Sequence, residues 1–124
     1  MKEGRTVQSK AINYKIDINT NVDCSTQNII YLLNCKKCSQ QYIGETERML
    51  KERFSEHKTY VNTNNKSKST GIHFNEKGHS VNDMEISIIE KVFNKDQRYR
   101  KQREKFYIQK FNTRYKGLNR LNGG

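Results

Sequence analysis

The chain has no proline and no tryptophan, only seven glycines and three cysteines, and 13 acidic residues against 24 lysines and arginines. No proline-rich or glycine-rich tract and no internal repeat is visible, which excludes low-complexity linkers and repeat architectures. No run of 18 apolar residues occurs, so a transmembrane helix is excluded and no membrane partner is expected. The opening MKEGRTVQSK has no apolar core, so no secretory signal is expected. Three cysteines leave one over from any disulfide framework. Together with the missing signal, this points to a reducing compartment and to thiols used for something else.

What is present bounds the rest. Leu, Ile, Val and Phe fill 26 of 124 positions, just above the level at which highly charged chains stop folding alone. A 14.7 kDa chain of this kind has room for one small core, which a metal staple would help. The formal net charge is +11, and residues 94–124 carry ten cations against Asp96 and Glu104. Such a surplus attracts polyanions, nucleic acid first among them, although charge alone fits a solvated surface equally well.

Periodicity sets out the elements. Residues 1–27 are polar, but Ile12, Tyr14, Ile16 and Ile18 alternate with polar neighbours, as in an edge strand or a linker. Residues 28–34 read as a buried strand and 41–44 as a second, joined in a hairpin through Cys35-Lys-Lys-Cys38-Ser-Gln. Thr46 is placed to cap a helix over 47–61, with Leu50, Phe54, His57 and Val61 on one face. Residues 62–70 form a polar loop, 72–77 a short helical turn ended by Gly78, and 84–93 an alternating third strand. A long basic helix covers 96–112, and Gly117-Leu118-Asn119 closes the chain in a turn. The expected fold class is α/β of the α+β kind: a small three-stranded antiparallel sheet flanked by helices, over 28–124.

Several residues on this frame suit chemistry. Tyr31 and Tyr42 hold comparable places on the hairpin strands, where tyrosine also packs for purely structural reasons. Arg53 and His57, four apart, lie about 60° and about 20° from Leu50 around the helix, bordering its apolar stripe. An arginine there can equally snorkel along a core edge. Glu104 shares an arc with Tyr107, Ile108 and Phe111, where a carboxylate needs a cationic or metal partner. An ion pair with Arg100 or Arg103 would supply one; a hard divalent cation bridging to phosphate is the other option. Cys35-x2-Cys38 and His73-x5-His79, with 34 residues between the pairs, have the short-pair geometry of a structural Cys2His2 zinc site. Two reduced thiols and two surface histidines are the alternative. Cys24 has no role in this reading.

Together these positions resemble the GIY-YIG nuclease superfamily. Ile29-Ile30-Tyr31 stands where the family has Gly-Ile-Tyr, and Tyr42-Ile43-Gly44 matches the second motif. Lys51-Glu-Arg53-Phe-Ser-Glu-His57 is similar to its arginine helix. Arg103-Glu104-Lys105-Phe106-Tyr107-Ile108 is similar to the helix of its metal-binding glutamate, and Gly117-Leu118-Asn119 to its terminal asparagine motif. The Cys pair between the tyrosine motifs, with Ile72-His73-Phe74 and Gly78-His79-Ser80 later, resembles the endonuclease domain of Penelope-like retroelements. Ile29 in place of glycine, and no counterpart of an additional histidine of some homing enzymes, are departures.

The resemblance implies hydrolysis of phosphodiester bonds in double-stranded DNA, with Glu104 holding one Mg²⁺ or Mn²⁺. It implies that Tyr31 activates water, Arg53 clamps phosphate, and His57 relays a proton or holds Tyr31. Tyr42 would orient water or phosphate, and Asn119 would brace the site. Cys35, Cys38, His73 and His79 would bind structural Zn²⁺, while Arg48, Lys51, Lys58, Arg100, Lys101 and Arg103 would contact DNA. It further implies a target-site nick priming reverse transcription, an adjacent reverse transcriptase in the same polyprotein, and an intracellular, nuclear setting in a eukaryotic host. A non-catalytic zinc module binding nucleic acid, or a structure-specific or homing nuclease, are the rival readings.

Overall fold

The structure is a computed structural model that describes residues 6–8, 15–17, 22–93 and 96–119. Two short strands, β1 (Thr6–Gln8) and β2 (Lys15–Asp17), pair antiparallel as a separate ribbon, with Val7 opposite Ile16. Of the alternating residues expected at this end, Ile16 lies in β2, while Ile12, Tyr14 and Ile18 lie outside the described residues.

The main sheet follows. It holds β3 (Ile29–Cys35) and β4 (Gln41–Thr46), and later β5 (Met84–Lys91), in the order β4-β3-β5, all antiparallel. Between β4 and β5 come α1 (Leu50–Asn62), α2 (Ser69–His73) and a 3₁₀ turn at Val81–Asp83. After β5 come α3 (Gln97–Phe111) and α4 (Thr113–Lys116). The expected three-stranded antiparallel sheet with helices against it is the observed fold. No helix among the described residues is long and apolar enough to cross a membrane.

β3 is the centre of the core. Ile29, Ile30, Tyr31, Leu32 and Leu33 are all buried, which a strand achieves only when both its faces are covered. Alternation sends Tyr31 and its cross-strand partners Gly44 and Ile88 to one face, and Ile30 with Glu45 and Glu90 to the other. α1 meets the tyrosine face at the Tyr31 hydroxyl, which accepts from Arg53 Nε and is hydrogen-bonded to His57 Nε2. α3 meets the opposite face through bonds from Arg100 and Arg103 to Glu45 and Glu90.

Boundaries differ from expectation in several places: α2 covers Ser69–His73, starting inside the expected loop and stopping short of 77, and α1 and β5 depart for tertiary reasons. α1 starts at Leu50, because the carbonyls of Thr26 and Cys24 accept from the N–H groups of Leu50 and Lys51 at 3.2 and 2.9 Å. Thr46 does not cap this helix. Its Oγ1 accepts instead from Arg48 N, and Glu52 reaches back to Met49 N. In β5, the partner of Ile30 is Glu90 and that of Tyr31 is Ile88, so Ile89 is an extra residue and a bulge breaks the expected clean alternation. The bulge lets consecutive Ile88 and Ile89 both be buried, and β5 ends at Lys91 with Phe93 exposed.

β4 is an edge strand, and the end of the chain covers it. Leu118 N donates to Gln41 O at 2.8 Å. The Asn119 side chain accepts from Ile43 N at 2.7 Å and donates to Ile43 O at 2.8 Å. An amide placed this way copies the ladder of a neighbouring strand and leaves no open edge there.

Candidate active site

The tyrosine face carries the first half of the site. Gly44 sits opposite Tyr31, and a Cβ there would lie 2.3 Å from the Tyr31 Cζ and hydroxyl. Only glycine lets the Tyr31 ring lie across β4. The phenol oxygen then receives Arg53 Nε at 2.9 Å and lies 2.7 Å from His57 Nε2. Tyr42 packs beside both, its ring centre 6.3 Å from that of Tyr31 and 5.5 Å from that of His57.

α1 positions the cation. Arg53 and His57 do project together, and Arg53 points inward with only 11% of its side chain exposed, which sets aside the snorkelling alternative. Its Nη1 donates to Tyr60 Oη at 3.2 Å and to Glu56, which also pairs with Arg48 at 2.9 Å. Burial pushes the Tyr31 phenol well above its ordinary pKa, with Tyr42 adding to the effect and Arg53 opposing it. Burial dominates at Tyr42 too, which also stays a neutral phenol. The neighbouring guanidinium therefore does not make Tyr31 a phenolate; it holds a neutral hydroxyl against a histidine.

Glu104 is the second half, and the arginines on its own helix do not claim it. Arg100 Nε donates to Glu45 at 3.0 Å, while Arg103 reaches Glu90 at 2.7 Å, where Tyr107 donates as well. The ion pair that the structure gives Glu104 is a long one, 3.8 Å to Lys101. Its side chain is 17% exposed, and burial raises its pKa, against Lys101, with Glu45 raising it further. Its charge acts through space on Arg53, Tyr31 and Tyr42, so the acid shares an electrostatic environment with the phenols and guanidinium. A half-buried carboxylate that accepts from the Glu45 backbone N–H, faces the Glu45 carboxylate and has its ammonium partner 3.8 Å away has the donor chemistry for a hard divalent cation. A cleft of about 340 Å³ opens on the outer side of Arg53, lined also by Glu45, Arg48, Glu56 and Arg100. Asn119 lies one strand edge away, where its bonds to Ile43 brace β4.

The cationic residues expected to meet DNA divide. Lys51, Lys58 and Lys101 are exposed, and Lys58 lies over the Phe54 ring. Arg100 corrects the expectation. It is 3% exposed and bonded to Glu45 and Asn28, so it anchors α3 to the sheet at the inner wall of the cleft instead of standing out on the surface. Arg103 does the same work at Glu90, and Arg48 is paired with Glu56.

A second cluster forms at the far end of the hairpin. One ligand atom each from Cys35, Cys38, His73 and His79 lies within 4.8 Å of the others, and Cys38 Sγ is 3.3 Å from His73 Nε2. The Cys-Lys-Lys-Cys turn is shaped by Ser39, in the left-handed region at φ 63°, with Ser39 N bonded back to Cys35 O. His73 Nδ1 lies 3.0 Å from Glu76, the outer carboxylate that typically orients a metal-bound imidazole. His79 Nε2 is buried with no hydrogen-bond partner among the described residues, which is costly unless something binds it. Two thiols, two imidazoles and an orphaned nitrogen fit a tetrahedral thiophilic ion.

Sequence reasoning missed Thr70, whose Oγ1 lies 3.1 Å from His57 Nδ1, and the sheet carboxylates Glu45 and Glu90 that hold α3. A signal for the last two was available: acids in otherwise apolar strands, opposite a basic helix.

Residues 27–119 match the family model described as the GIY-YIG catalytic domain. Among curated proteins none matches. Among solved structures, the catalytic domain of homing endonuclease I-TevI superposes with a TM-score of 0.63 at 22% identity, covering 74% of this chain and 96% of that one. A mutant of the catalytic domain of intron endonuclease I-TevI gives 0.67 at 20% identity, covering 80% and 98%. At such identities the likeness is one of fold, while the family match takes in both tyrosines, Arg53, His57, Glu104 and Asn119. The chain belongs to the GIY-YIG catalytic domain family and is an endonuclease domain.

Proposed function

We propose that this domain nicks double-stranded DNA by metal-dependent hydrolysis, using the network centred on Tyr31. The observation that carries the reading is the Tyr31 hydroxyl held between Arg53 Nε at 2.9 Å and His57 Nε2 at 2.7 Å, with Glu104 close enough to act on it. In the reaction, Tyr31 oxygen takes a proton from the attacking water as its own proton passes to His57 Nε2. The water oxygen bonds to phosphorus, the bond to the 3′-oxygen breaks, and that oxygen takes a proton from solvent to become the 3′-hydroxyl end. Arg53 turns its remaining guanidinium donors from Glu56 to the phosphate oxygens, where a planar fork is effective. Tyr42 orients water or phosphate on the same face. A Mg²⁺ or Mn²⁺ ion on Glu104 would supply stabilisation of charge on the phosphate and the leaving oxygen. Cys35, Cys38, His73 and His79 hold Zn²⁺ in a structural role, all four positions filled by protein.

The Cys pair between the tyrosine motifs, gathered with His73 and His79, supports a finer reading. The domain makes the target-site nick that primes reverse transcription in a Penelope-like retroelement, beside a reverse transcriptase in the same polyprotein, in the nucleus. A homing-type nuclease is the second reading, favoured by the fold likeness to I-TevI. Incubation of supercoiled plasmid with Mg²⁺, Mn²⁺ or EDTA, followed by mapping of product ends, tests the proposal. Metal-dependent nicks with 3′-hydroxyl ends are expected. Binding without cleavage under every metal condition would leave a non-catalytic zinc module instead.

A further inference from the structure

Both ring nitrogens of His57 have a hydroxyl within hydrogen-bond distance. Arg53 Nε–H can only donate, so at 2.9 Å the Tyr31 oxygen accepts from it. The phenol's single proton is then directed to His57 Nε2, 2.7 Å away. Nε2 can accept only if the neutral ring carries its proton on Nδ1. What faces Nδ1 is the hydroxyl of Thr70, 3.1 Å away and fully buried. Around the ring stand Tyr31, Tyr42 and Tyr60, each edge-on to it with centres 5.5 to 5.7 Å distant, and Arg53 lies one helical turn earlier.

We propose that Thr70 is a positioning residue for the reaction: its hydroxyl oxygen accepts the Nδ1 proton of His57 and so keeps Nε2 free to receive the proton of Tyr31. The location of Thr70 is tightly determined. It sits in the first turn of α2, next to Gly71, where a Cβ would lie 2.4 Å from the Asn65 carbonyl oxygen. α2 therefore lies close against the chain leaving α1, and the hydroxyl has little room to move relative to His57. The same short helix ends in His73, so the segment that contributes an imidazole to the Cys/His cluster also sets the ring of the proton acceptor. A hydroxyl on Nδ1 orients the ring without adding a negative charge, so the imidazolium formed in the reaction readily returns its proton for the next turnover.

This inference rests on the nuclease reading above, and its test separates the two. Thr70→Val keeps shape and removes the acceptor; Thr70→Ser keeps the acceptor. With the full zinc-loaded chain, single-turnover cleavage of plasmid should fall about 10²-fold in Thr70→Val, with DNA KM within about threefold, and stay within about fivefold of the parent in Thr70→Ser. Nitrogen NMR on ¹⁵N-histidine-labelled protein should show His57 as the Nδ1–H tautomer in the parent and in Thr70→Ser, with Nε2–H appearing in Thr70→Val. Thr70→Val cleaving at the parent rate, or a parent His57 protonated on Nε2, overturns the proposal. If the parent itself does not cleave, the nuclease reading fails, and the tautomer spectra alone decide the role of Thr70.

Discussion

The two faces of the sheet use the same three side-chain types for different ends. Under α3, Arg103 meets Glu90 and Tyr107, with the carboxylate supplied by β5 and the arginine by the helix. Under α1, Arg53 meets Tyr31 from the sheet, and its carboxylate, Glu56, comes from its own helix and is partly exposed. An ion pair between elements clamps them together, and its arginine has its charge matched from across the interface. An arginine that meets a phenol across the interface, with its carboxylate on an outer rim, keeps donors that can be redirected to phosphate. Glu104 completes the contrast: the clamps at Glu45 and Glu90 engage Arg100 and Arg103, which leaves this one acid of α3 with only the long pair to Lys101 among the ion pairs of the described residues.

The contrast breaks if the two arginines behave alike. Arg53→Ala should lower cleavage by at least about 10²-fold while leaving the fold intact. Arg103→Met should cost about 1–3 kcal/mol in chemical denaturation and leave single-turnover cleavage within a few fold. Equal activity losses in both would mean that the two faces are not functionally distinct. Next in size is the staple. Cys35→Ser with Cys38→Ser should abolish stoichiometric zinc in metal analysis and lower the melting temperature, because structural metal binding contributes directly to folding. A parent protein purified without zinc would remove that cluster from the account.

The smallest effect is in alkali. The Tyr31 phenol has a folded pKa above its unfolded value of about 10, so the fold favours its protonated form. The stability it contributes is complete below that value and is lost as the pH rises above it. Tyr107, pushed up to about 12 by burial and Glu90, adds to the same decline on the other face. Tyr31→Phe should make the fall in melting temperature above pH 10 shallower, and an unchanged slope would argue against a buried neutral phenol.

Much of this was legible in the chain itself, for identifiable reasons. The apolar run of β3 and the four-residue spacing of Arg53 and His57 are local signals of burial and of a shared helix face, and both hold in the structure. The Cys and His pairs were readable because each pair lies within one turn, even with 34 residues between them. Thr70 was not legible. It lies in a polar stretch that reads as loop, and its partner is 13 positions earlier on another helix. The start of α1 depends on carbonyls of Cys24 and Thr26, which no pattern within the helix encodes. Arg100 was expected to contact DNA, and its burial, which follows from Glu45 facing it from β4, could not be read from the helix alone.

The central claim is that Glu104 holds a divalent cation beside Tyr31 and Arg53, and Glu104→Gln tests it most directly. Burial raises the pKa of this acid, so the ionised form destabilises the fold at neutral pH, and the neutral amide should leave the melting temperature unchanged or higher. The account predicts plasmid binding equal to or tighter than the parent, with no nicking at any Mg²⁺ or Mn²⁺ concentration. Nicking by Glu104→Gln at the parent rate would contradict it.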